Sequence, residues 1–394
     1  MDIRLRTSRE NEQGSVLVLV AVCITLFMLF LALTIDFGLM IQKKGQLQNV
    51  ADAAALAAAQ ELVDEDLLTS GANQSDDIVS ARNYAEMYAA SNITDFNVDR
   101  NSENIESGGV LVGYIDDPMD MTSPLRTSDV SNYNSVKVTA SMTNELNGPL
   151  QLFFGGVTGV NNIEMQASSV ATIENRILGF KLVEGESLPM LPFAIYEDSW
   201  NDAFDGVSDF DQYSVDDASG IVTSGSDGVP EFVFAPWFPN QGIPGYDGNG
   251  RTLFLTDSPT IDALKNQIYN GVAKSDLESS NVNGMVLDDN GLGQMSKWIP
   301  GEQWMHSSWN TALNNIKGET RIVALFNDIA EGSGSQESYK ISGFQAVKVC
   351  EAIWPNKQKQ RRVYLQPAQM ISSQAVVHSM APQSSTIYAL AISR

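Results

Sequence analysis

The spacing of hydrophobic residues in the first part of the chain predicts one long helix. Residues 16–35 contain no charged side chain, and at ~1.5 Å rise per residue such a run crosses the ~30 Å hydrocarbon core of a bilayer. After Asp36, apolar residues recur every three or four positions as far as Leu62, with polar residues between them. This period is that of an α-helix. The pattern therefore predicts a nearly continuous helix over residues 13–62, half in lipid and half outside it.

The outer half of this helix carries a face of small residues. Seven of the nine residues in 51–59 are alanine, which favours a helix and lets two backbones approach closely. We predict that Leu47, Ala51, Ala54 and Ala58 form an interface with another helix or subunit. The alternative is that the helix lies on its own domain, and the two interpretations are compatible.

Asp36 is the residue of this segment that a membrane disfavours most. A charged side chain costs about 2.5–3.5 kcal/mol at the bilayer centre on insertion scales, and less near the interface. One interpretation is an interfacial residue that extends outward to water. The other is a polar contact to a neighbouring subunit, and Asp36 is therefore included among the predicted interface residues.

Beyond the long helix the period of the pattern changes. A polar, acidic segment over residues 64–77 ends the helix, and a second helix is predicted over 78–90, where Tyr84, Met87 and Tyr88 offer an apolar face. Two-residue alternation then indicates strands with one face in water. These strands are predicted at residues 110–115, 135–142 and 163–173.

The remaining segments complete an α+β chain. Residues 149–157 form a short apolar element, and residues 188–196 form an apolar extended segment with two prolines. Later strands are predicted at residues 231–235, 252–256, 320–326, 339–349, 361–365 and 387–392, and helices at 260–270 and 309–316. We therefore predict four regions: a lead (1–14), a transmembrane helix (15–41), a helical extension with an antiparallel sheet (42–175) and a second, mixed strand-rich domain (176–394).

Charge and cysteine content narrow the classes of function. The chain carries 48 acidic and 24 basic residues, a net charge of −24, and so acidic a surface repels nucleic acid. We expect no nucleic-acid partner. Cys23 lies in the span and Cys350 far along the chain, so the two are not expected to pair. Cys350 is predicted to be buried, with an intermolecular disulfide as the alternative.

Basic residues near the span indicate its orientation. Arg4, Arg6 and Arg9 precede it and two lysines follow it, which favours a cytoplasmic N-terminus. The apolar run is too long for an ordinary cleaved signal, and no small-x-small site closes it. The prediction is a single-pass membrane protein with its folded region exported.

The motif Asp36-Phe37-Gly38, the basic pair Lys43-Lys44 and the run LQNVADAAALA at residues 47–57 resemble the N-terminal segment of the TadE/TadG-like proteins of the Tad (tight adherence, Flp-type) pilus system. The resemblance continues more loosely to about residue 175. It implies a pilin-like helix-plus-sheet fold, an inner-membrane location with a periplasmic or extracellular ectodomain, and other Tad pilus subunits as partners. It leaves open whether the protein forms a homo-oligomer, enters the pilus fibre, caps it or stays in the membrane.

Residues typical of catalysis or metal binding are scarce. His306 and His378 are the two histidines, and no nucleophile, zinc or phosphate-binding motif is present; we predict no enzyme activity and no cofactor. Asp205, Asp209 and Asp211 are weak calcium candidates because carboxylate oxygens suit hard cations. They lack an EF-hand order, so a solvated acidic loop is the preferred interpretation and no metal site is predicted.

The predicted function is a membrane-anchored pilin-like or accessory component of Tad/Flp pilus assembly, with surface attachment as an open further role. The alternative is an envelope-displayed adhesin or ligand-binding module that uses aromatic surface, with an anchored hydrolase as a weaker third reading. The aromatic candidates are Trp237, Trp298, Trp304 and Trp309. Gly14 lies where prepilin peptidases cut, but Leu19 stands where a mature pilin has glutamate. We therefore predict that Gly14 is not cleaved.

Overall fold

The computed structural model describes residues 12–69, 74–128, 133–204, 210–216, 218–237, 248–279, 285–289, 294–331 and 337–393. The chain divides into two compact units, each assembled from several segments. The first unit comprises residues 1–57, 82–111 and 137–170, and the second comprises 58–81, 112–136 and 171–394. The predicted boundary at residue 175 is near the last of these breaks, but two earlier segments belong to the second unit.

Helix α1, Glu12–Gln60, is a single helix of 49 residues, which confirms the predicted long helix. Its apolar side chains are exposed over most of residues 16–41 and buried from Leu47 onward. Among the described residues it is the one helix long and apolar enough to cross a membrane. The apolar side chains of this helix are therefore exposed in its first half and buried against the rest of the protein in its second half.

Helix α2, Ser75–Asn92, confirms the predicted second helix. Ala81, Ala85 and Ala89 are fully buried, whereas Tyr84, Met87 and Tyr88 are exposed. The apolar face that the sequence indicates at Tyr84, Met87 and Tyr88 lies on the outside of the helix, and the alanines form its buried side. Alanines four residues apart lie on one side of a helix, and their small size lets the helix backbone approach its neighbours closely.

The elements that follow α2 form the sheet region. Strand β2, Ser135–Met142, has the predicted bounds, with Val136, Val138 and Ala140 buried between half-buried polar residues. The other elements here are β1 (Val110–Gly113), β3 (Leu150–Gln151), α3 (Gly155–Thr158), β4 (Asn162–Ile163) and β5 (Met165–Glu174), with a 3-10 helix at Glu65–Leu68. The alternating burial along β2 leaves one face of the strand buried and the other partly exposed to water, as its sequence predicts.

The described part of the chain beyond β5 is strand-rich and contains four short α-helices. Its first elements are β6 (Ile177–Phe180), β7 (Ser187–Leu188), β8 (Met190–Tyr196), α4 (Glu197–Asp202), β9 (Tyr213–Val215), β10 (Val222–Ser224), β11 (Phe232–Phe234), β12 (Gly250–Leu253), α5 (Ile261–Asn270), β13 (Val272–Ala273), α6 (Lys274–Ser279), β14 (Met285–Val286), β15 (Asp288–Asp289) and β16 (Met295–Glu302). The later ones are α7 (Asn310–Asn315), β17 (Thr320–Glu331), β18 (Glu337–Ile353), β19 (Arg362–Pro367), β20 (Met370–Ile371), β21 (Ala375–Val377) and β22 (Ile387–Ile392). The predicted α+β class, a long apolar helix followed by strand-rich regions, is confirmed.

Five strands of the second unit close into a small barrel. The eight-stranded sheet has the order β11-β19-β18-β17-β8-β12-β16-β15, and β16 also pairs with β18. Gly301 of β16 therefore pairs with Leu253 on one side and with Glu337 on the other. Strands β8 and β17 are parallel, whereas the other pairs in the ring are antiparallel. A separate five-stranded sheet has the order β1-β2-β5-β22-β20.

Both faces of the central barrel strands are buried. In β17, Ile322, Ala324 and Phe326 belong to a cluster with side chains from all five ring strands, whereas Val323 and Leu325 pack in a second cluster with α5 and α7. Successive side chains of a strand point to opposite faces. Strands buried on both faces need a nearly continuous apolar sequence, which explains the run over residues 188–196.

Cys350 is buried beside Tyr364, as predicted. Burial raises the pKa of its thiol to about 12, so the thiol stays protonated at neutral pH. Cys23 is exposed on the apolar half of α1.

Candidate functional site

The predicted interface residues lie at two levels along α1, and Asp36 marks the lower one. Its side chain is only 4% exposed. One carboxylate oxygen accepts hydrogen bonds from the backbone N–H groups of Phe153 and Phe154 at 2.9 and 3.3 Å, and the other accepts from Phe154 at 3.1 Å. Hydrogen bonds to a charged acceptor offset much of the cost of removing it from water. The protein's own backbone thus satisfies Asp36, and a contact with another subunit stays a prediction.

The segment that binds Asp36 is a tight loop between two short strands. β3 pairs with β4 in an antiparallel register, and the N–H of Leu152 donates to the carbonyl of Asn161 at 2.9 Å. The single turn of α3 ends at Gly159, whose φ of 81° is left-handed. A side chain at Gly155 would collide with the carbonyl of Val160, so glycine is required there. This geometry holds the two phenylalanine amides toward Asp36.

The second level is the alanine face. Leu47, Ala51, Ala54 and Ala58 are all fully buried within the chain itself. This burial favours the alternative in which the helix lies on its own domain. A contact between subunits through the same four residues stays a prediction, and it would require α1 to leave its present position.

Polar side chains fasten α1 to the first unit beside this face. The Lys44 ammonium donates to the backbone carbonyl of Gln166, and the Gln48 amide donates to the carbonyl of Ser168 at 3.3 Å. Both acceptors lie on β5. The helix therefore runs along this strand, where its side chains satisfy carbonyl groups at the strand's edge.

The structure gives little support to the calcium candidates Asp205, Asp209 and Asp211, and it does not test whether Gly14 is a processing site. Gly14 is the third residue of α1, and its cleavage stays untested. Asp205 and Asp209 lie outside the described residues. The Asp211 carboxylate accepts hydrogen bonds from the N–H groups of Asp227 and Gly228 at 3.2 and 2.9 Å, so it fastens a turn. In the part of the chain that the structure describes, no group of three His, Cys, Asp or Glu side chains could hold a metal ion.

The aromatic residues of the alternative prediction are only partly available at the surface. Trp309 is fully buried, and Trp304 stacks on it with ring centroids 5.5 Å apart. Trp298 is exposed on β16. His306 accepts a hydrogen bond from the N–H of Ser308 at 3.2 Å and caps a 3-10 helix at Ser307–Trp309. The histidine therefore has a structural role in this turn.

A cleft of about 690 Å³ opens beside these aromatic residues. Trp237 and Trp304 line it together with Glu302, Glu337 and Arg361. Burial raises the pKa of Glu302 to about 7. Sequence reasoning missed both glutamates because no local motif marks them. Glu302 and Glu337 are 35 positions apart in the chain, and the pairing of β16 with β18 places them in the same cleft.

A larger cavity of about 1270 Å³ lies in the second unit. Tyr114, Trp200 and Arg176 are among the described residues that line it. The Arg176 guanidinium pairs with Glu174 and Asp117 at 2.5 and 2.7 Å, and its hydrogen bond to Asp117 lowers the pKa of that carboxyl. The arginine is engaged in ion pairs within the protein, so it serves to hold the cavity wall.

Two family models match the first part of the chain. Residues 14–61 match the family described as putative Flp pilus-assembly TadE/G-like. Residues 46–171 match the family described as putative Tad-like Flp pilus-assembly. No curated protein and no solved structure matches the chain. The matched residues include Asp36, the alanine face and the loop that binds Asp36.

Proposed function

We propose that this protein is a single-pass inner-membrane component of the Tad pilus machinery. The premise is that residues 14–171 match the Tad-type Flp pilus-assembly families. The predicted resemblance is confirmed for these residues. The families are pilus-assembly components and not enzymes, in keeping with a role through binding and positioning. The proposed topology has a cytoplasmic N-terminus and both folded units outside the cytoplasm.

The observation that carries the proposal is the division of α1 into an exposed and a buried half. Large apolar side chains such as Leu17, Phe27 and Phe30 stand in the open, which in water would be strongly unfavourable. A bilayer is the surrounding that suits some twenty such residues in succession. The buried half joins this span to the first unit without a break in the helix.

We propose further that the protein remains in the membrane during assembly. The alanine face is filled by the chain itself, and the charge of Asp36 is satisfied by the loop at residues 153–154. Neither feature leaves an unpaired group that extraction into a fibre would satisfy. The role is therefore that of an accessory subunit that holds or organises the machinery from the membrane.

Contacts with other pilus subunits are assigned to the exposed side of α2. Tyr84 and Tyr88 stack there with ring centroids 6.4 Å apart, and Met87 lies beside them in sequence. Tyrosine and methionine are enriched where proteins bind one another. All three side chains are exposed.

The test is deletion of the gene followed by complementation. Loss of sheared pili on deletion, restored by the wild-type chain, is expected, together with recovery of the protein in the inner-membrane fraction. Normal piliation in the deletion strain would contradict the proposal. Recovery of the protein in the sheared pili would retain a pilus role but contradict residence in the membrane.

The second candidate function is ligand binding at the 690 Å³ cleft. The observation that favours it is a concave site lined by two tryptophan side chains, carboxylates and an arginine. Binding pockets commonly combine apolar walls with a few polar groups in this way. Trp237→Ala would then reduce the attachment of cells to a solid or host surface while leaving the number of pili unchanged. Equal attachment by the variant and the wild type would remove this candidate.

A further inference from the structure

The loop that binds Asp36 carries an apolar surface of its own. Phe153 is 76% exposed and Val160 51% exposed, and Phe154 is also open to the surroundings. From residue 149 to residue 163 the chain contains no charged side chain. Exposed apolar side chains gathered on one short loop mark a contact surface.

The position of this loop along α1 places it at a membrane boundary. Asp36 directly follows the twenty uncharged residues 16–35, whose length at ~1.5 Å per residue equals the ~30 Å hydrocarbon thickness. The N–H of Phe153 lies 2.9 Å from the Asp36 carboxylate. The loop therefore lies where the hydrocarbon core meets the outer headgroup layer.

The burial pattern of α1 marks the face of the helix on which the loop lies. Between residues 16 and 38 the buried side chains are Ala32 and Asp36 alone. They are four residues apart and so lie on one face of the helix. Ala32 is one turn, ~6 Å, closer to the bilayer centre than Asp36. The buried face of α1 that carries Asp36 thus continues to a depth that belongs to the hydrocarbon.

The backbone of the loop is suited to a medium without water. Phe153 and Phe154 donate their N–H groups to Asp36, Leu152 donates to Asn161, and Gly159 donates to Gly155. Irregular backbone is tolerated at membrane depth only where its polar groups have partners within the protein. These bonds supply such partners for four of the loop's N–H groups.

We infer that residues 152–160 insert into the outer leaflet of the membrane that α1 spans, with Phe153 and Phe154 as interfacial anchors and Asp36 as the group that fastens the loop to the helix. The partner is the acyl-chain boundary of a phospholipid bilayer. Its attraction is apolar, because the loop has no charge and the chain as a whole is strongly acidic. This contact fixes the first unit at the membrane surface, and the inference rests on the membrane span of the proposed function.

The test is a spin label placed at position 153 of the full-length chain in phosphatidylcholine nanodiscs. Cys23→Ala removes the exposed native thiol, while Cys350 is buried and protonated. Labels at Phe153→Cys, Phe27→Cys and Ile105→Cys report the loop, the span and an exposed apolar position in the same unit. Collisions with oxygen, which dissolves in lipid, and with a water-soluble nickel complex report the surroundings of each label.

The label at 153 is expected to meet nickel several-fold less often than the label at 105, and oxygen more often. Nickel collisions at 153 equal to those at 105 would overturn the inference. If the label at 27 stays shielded in that case, only the loop insertion fails, whereas nickel access at both 27 and 153 would reject the span itself. Low access to both reagents at 153 would show a protein partner instead of lipid and would also overturn it.

The role of Asp36 is tested in the same labelled chain. Asp36→Ala removes the acceptor of both phenylalanine amides, so the spectrum of the label at 153 is expected to show faster motion and greater nickel access. Asp52→Ala, a carboxylate higher on α1 that binds Gln48 at 2.8 Å, is the matched control and should leave the spectrum unchanged. An unaltered spectrum in the Asp36 variant would refute the fastening role.

Discussion

Substitution of Ala54 by leucine separates the two interpretations of the alanine face. Ala54 is fully buried, and its neighbours Ala51, Ala55 and Ala58 are fully buried as well. The added side chain has no space unless α1 moves away from the first unit. Overpacking of this kind costs about 1–3 kcal/mol. At about 4 °C per kcal/mol for a domain of roughly one hundred residues, the melting temperature should fall by about 4–12 °C.

The assay is thermal unfolding of the full chain in detergent, followed by far-ultraviolet circular dichroism, which reports α1 strongly because of its length. Asn49→Leu is the matched control, since it introduces the same side chain at an exposed position of the same helix. The control should unfold at the temperature of the wild type. Piliation of cells that carry each variant is measured in parallel.

The result that would refute the reasoning is an Ala54→Leu protein that unfolds at the wild-type temperature. The helix would then not be closely packed against its own unit. If such a stable variant also failed to form pili, the alanine face would act between subunits, as the sequence pattern alone allows. A loss of stability together with a loss of pili would confirm packing within the chain.

Three further outcomes are expected. A reporter that is active only outside the cytoplasm should be active when fused to the C-terminus, and activity of a cytoplasmic reporter there would contradict the topology. Intact-mass analysis of membrane-purified protein should show a chain that keeps residues 1–13, because Leu19 lacks the charge of the pilin glutamate; a mature chain starting at Ser15 would contradict this. Burial raises the pKa of Glu302 and Glu231 from 4.5 to about 7, so the folded protein binds protons more tightly than the unfolded chain and stability falls as the pH rises from 4.5 to 7. Glu302→Gln should flatten that fall in melting temperature, and an unchanged pH profile would show that Glu302 does not cause it.

Local periodicity accounts for what the sequence predicts well. The long helix and the second helix were predicted within a few residues of their ends, and strands β2 and β22 have the predicted bounds. Each of these elements repeats its own pattern over several residues without help from distant parts of the chain. The buried side of α2 is formed by Ala81, Ala85 and Ala89, whose small side chains permit a close approach of the helix backbone.

The barrel and the Asp36 contact could not be predicted for a physical reason. β16 contains Pro300, which has no N–H to donate, so its sequence argues against a central strand, and yet it pairs with β12 and β18. The amide that binds Asp36 lies 117 residues away. Both features depend on contacts between distant segments, which no periodic pattern encodes.

The structure separates two kinds of assembly defect. Asp36 and the alanine face are engaged within the chain, so substitutions there act first on the fold or on the loop at residues 152–160. Tyr84, Met87 and Tyr88 are 38%, 51% and 42% exposed, so replacing one of them disturbs the fold less than replacing a fully buried alanine. Variants of α1 that reduce piliation should therefore also change stability or membrane contact, whereas Tyr88→Ser should reduce piliation without either change. Since only the second kind of defect points to a partner, Tyr88→Ser is the variant that tests the proposed contact between subunits on α2.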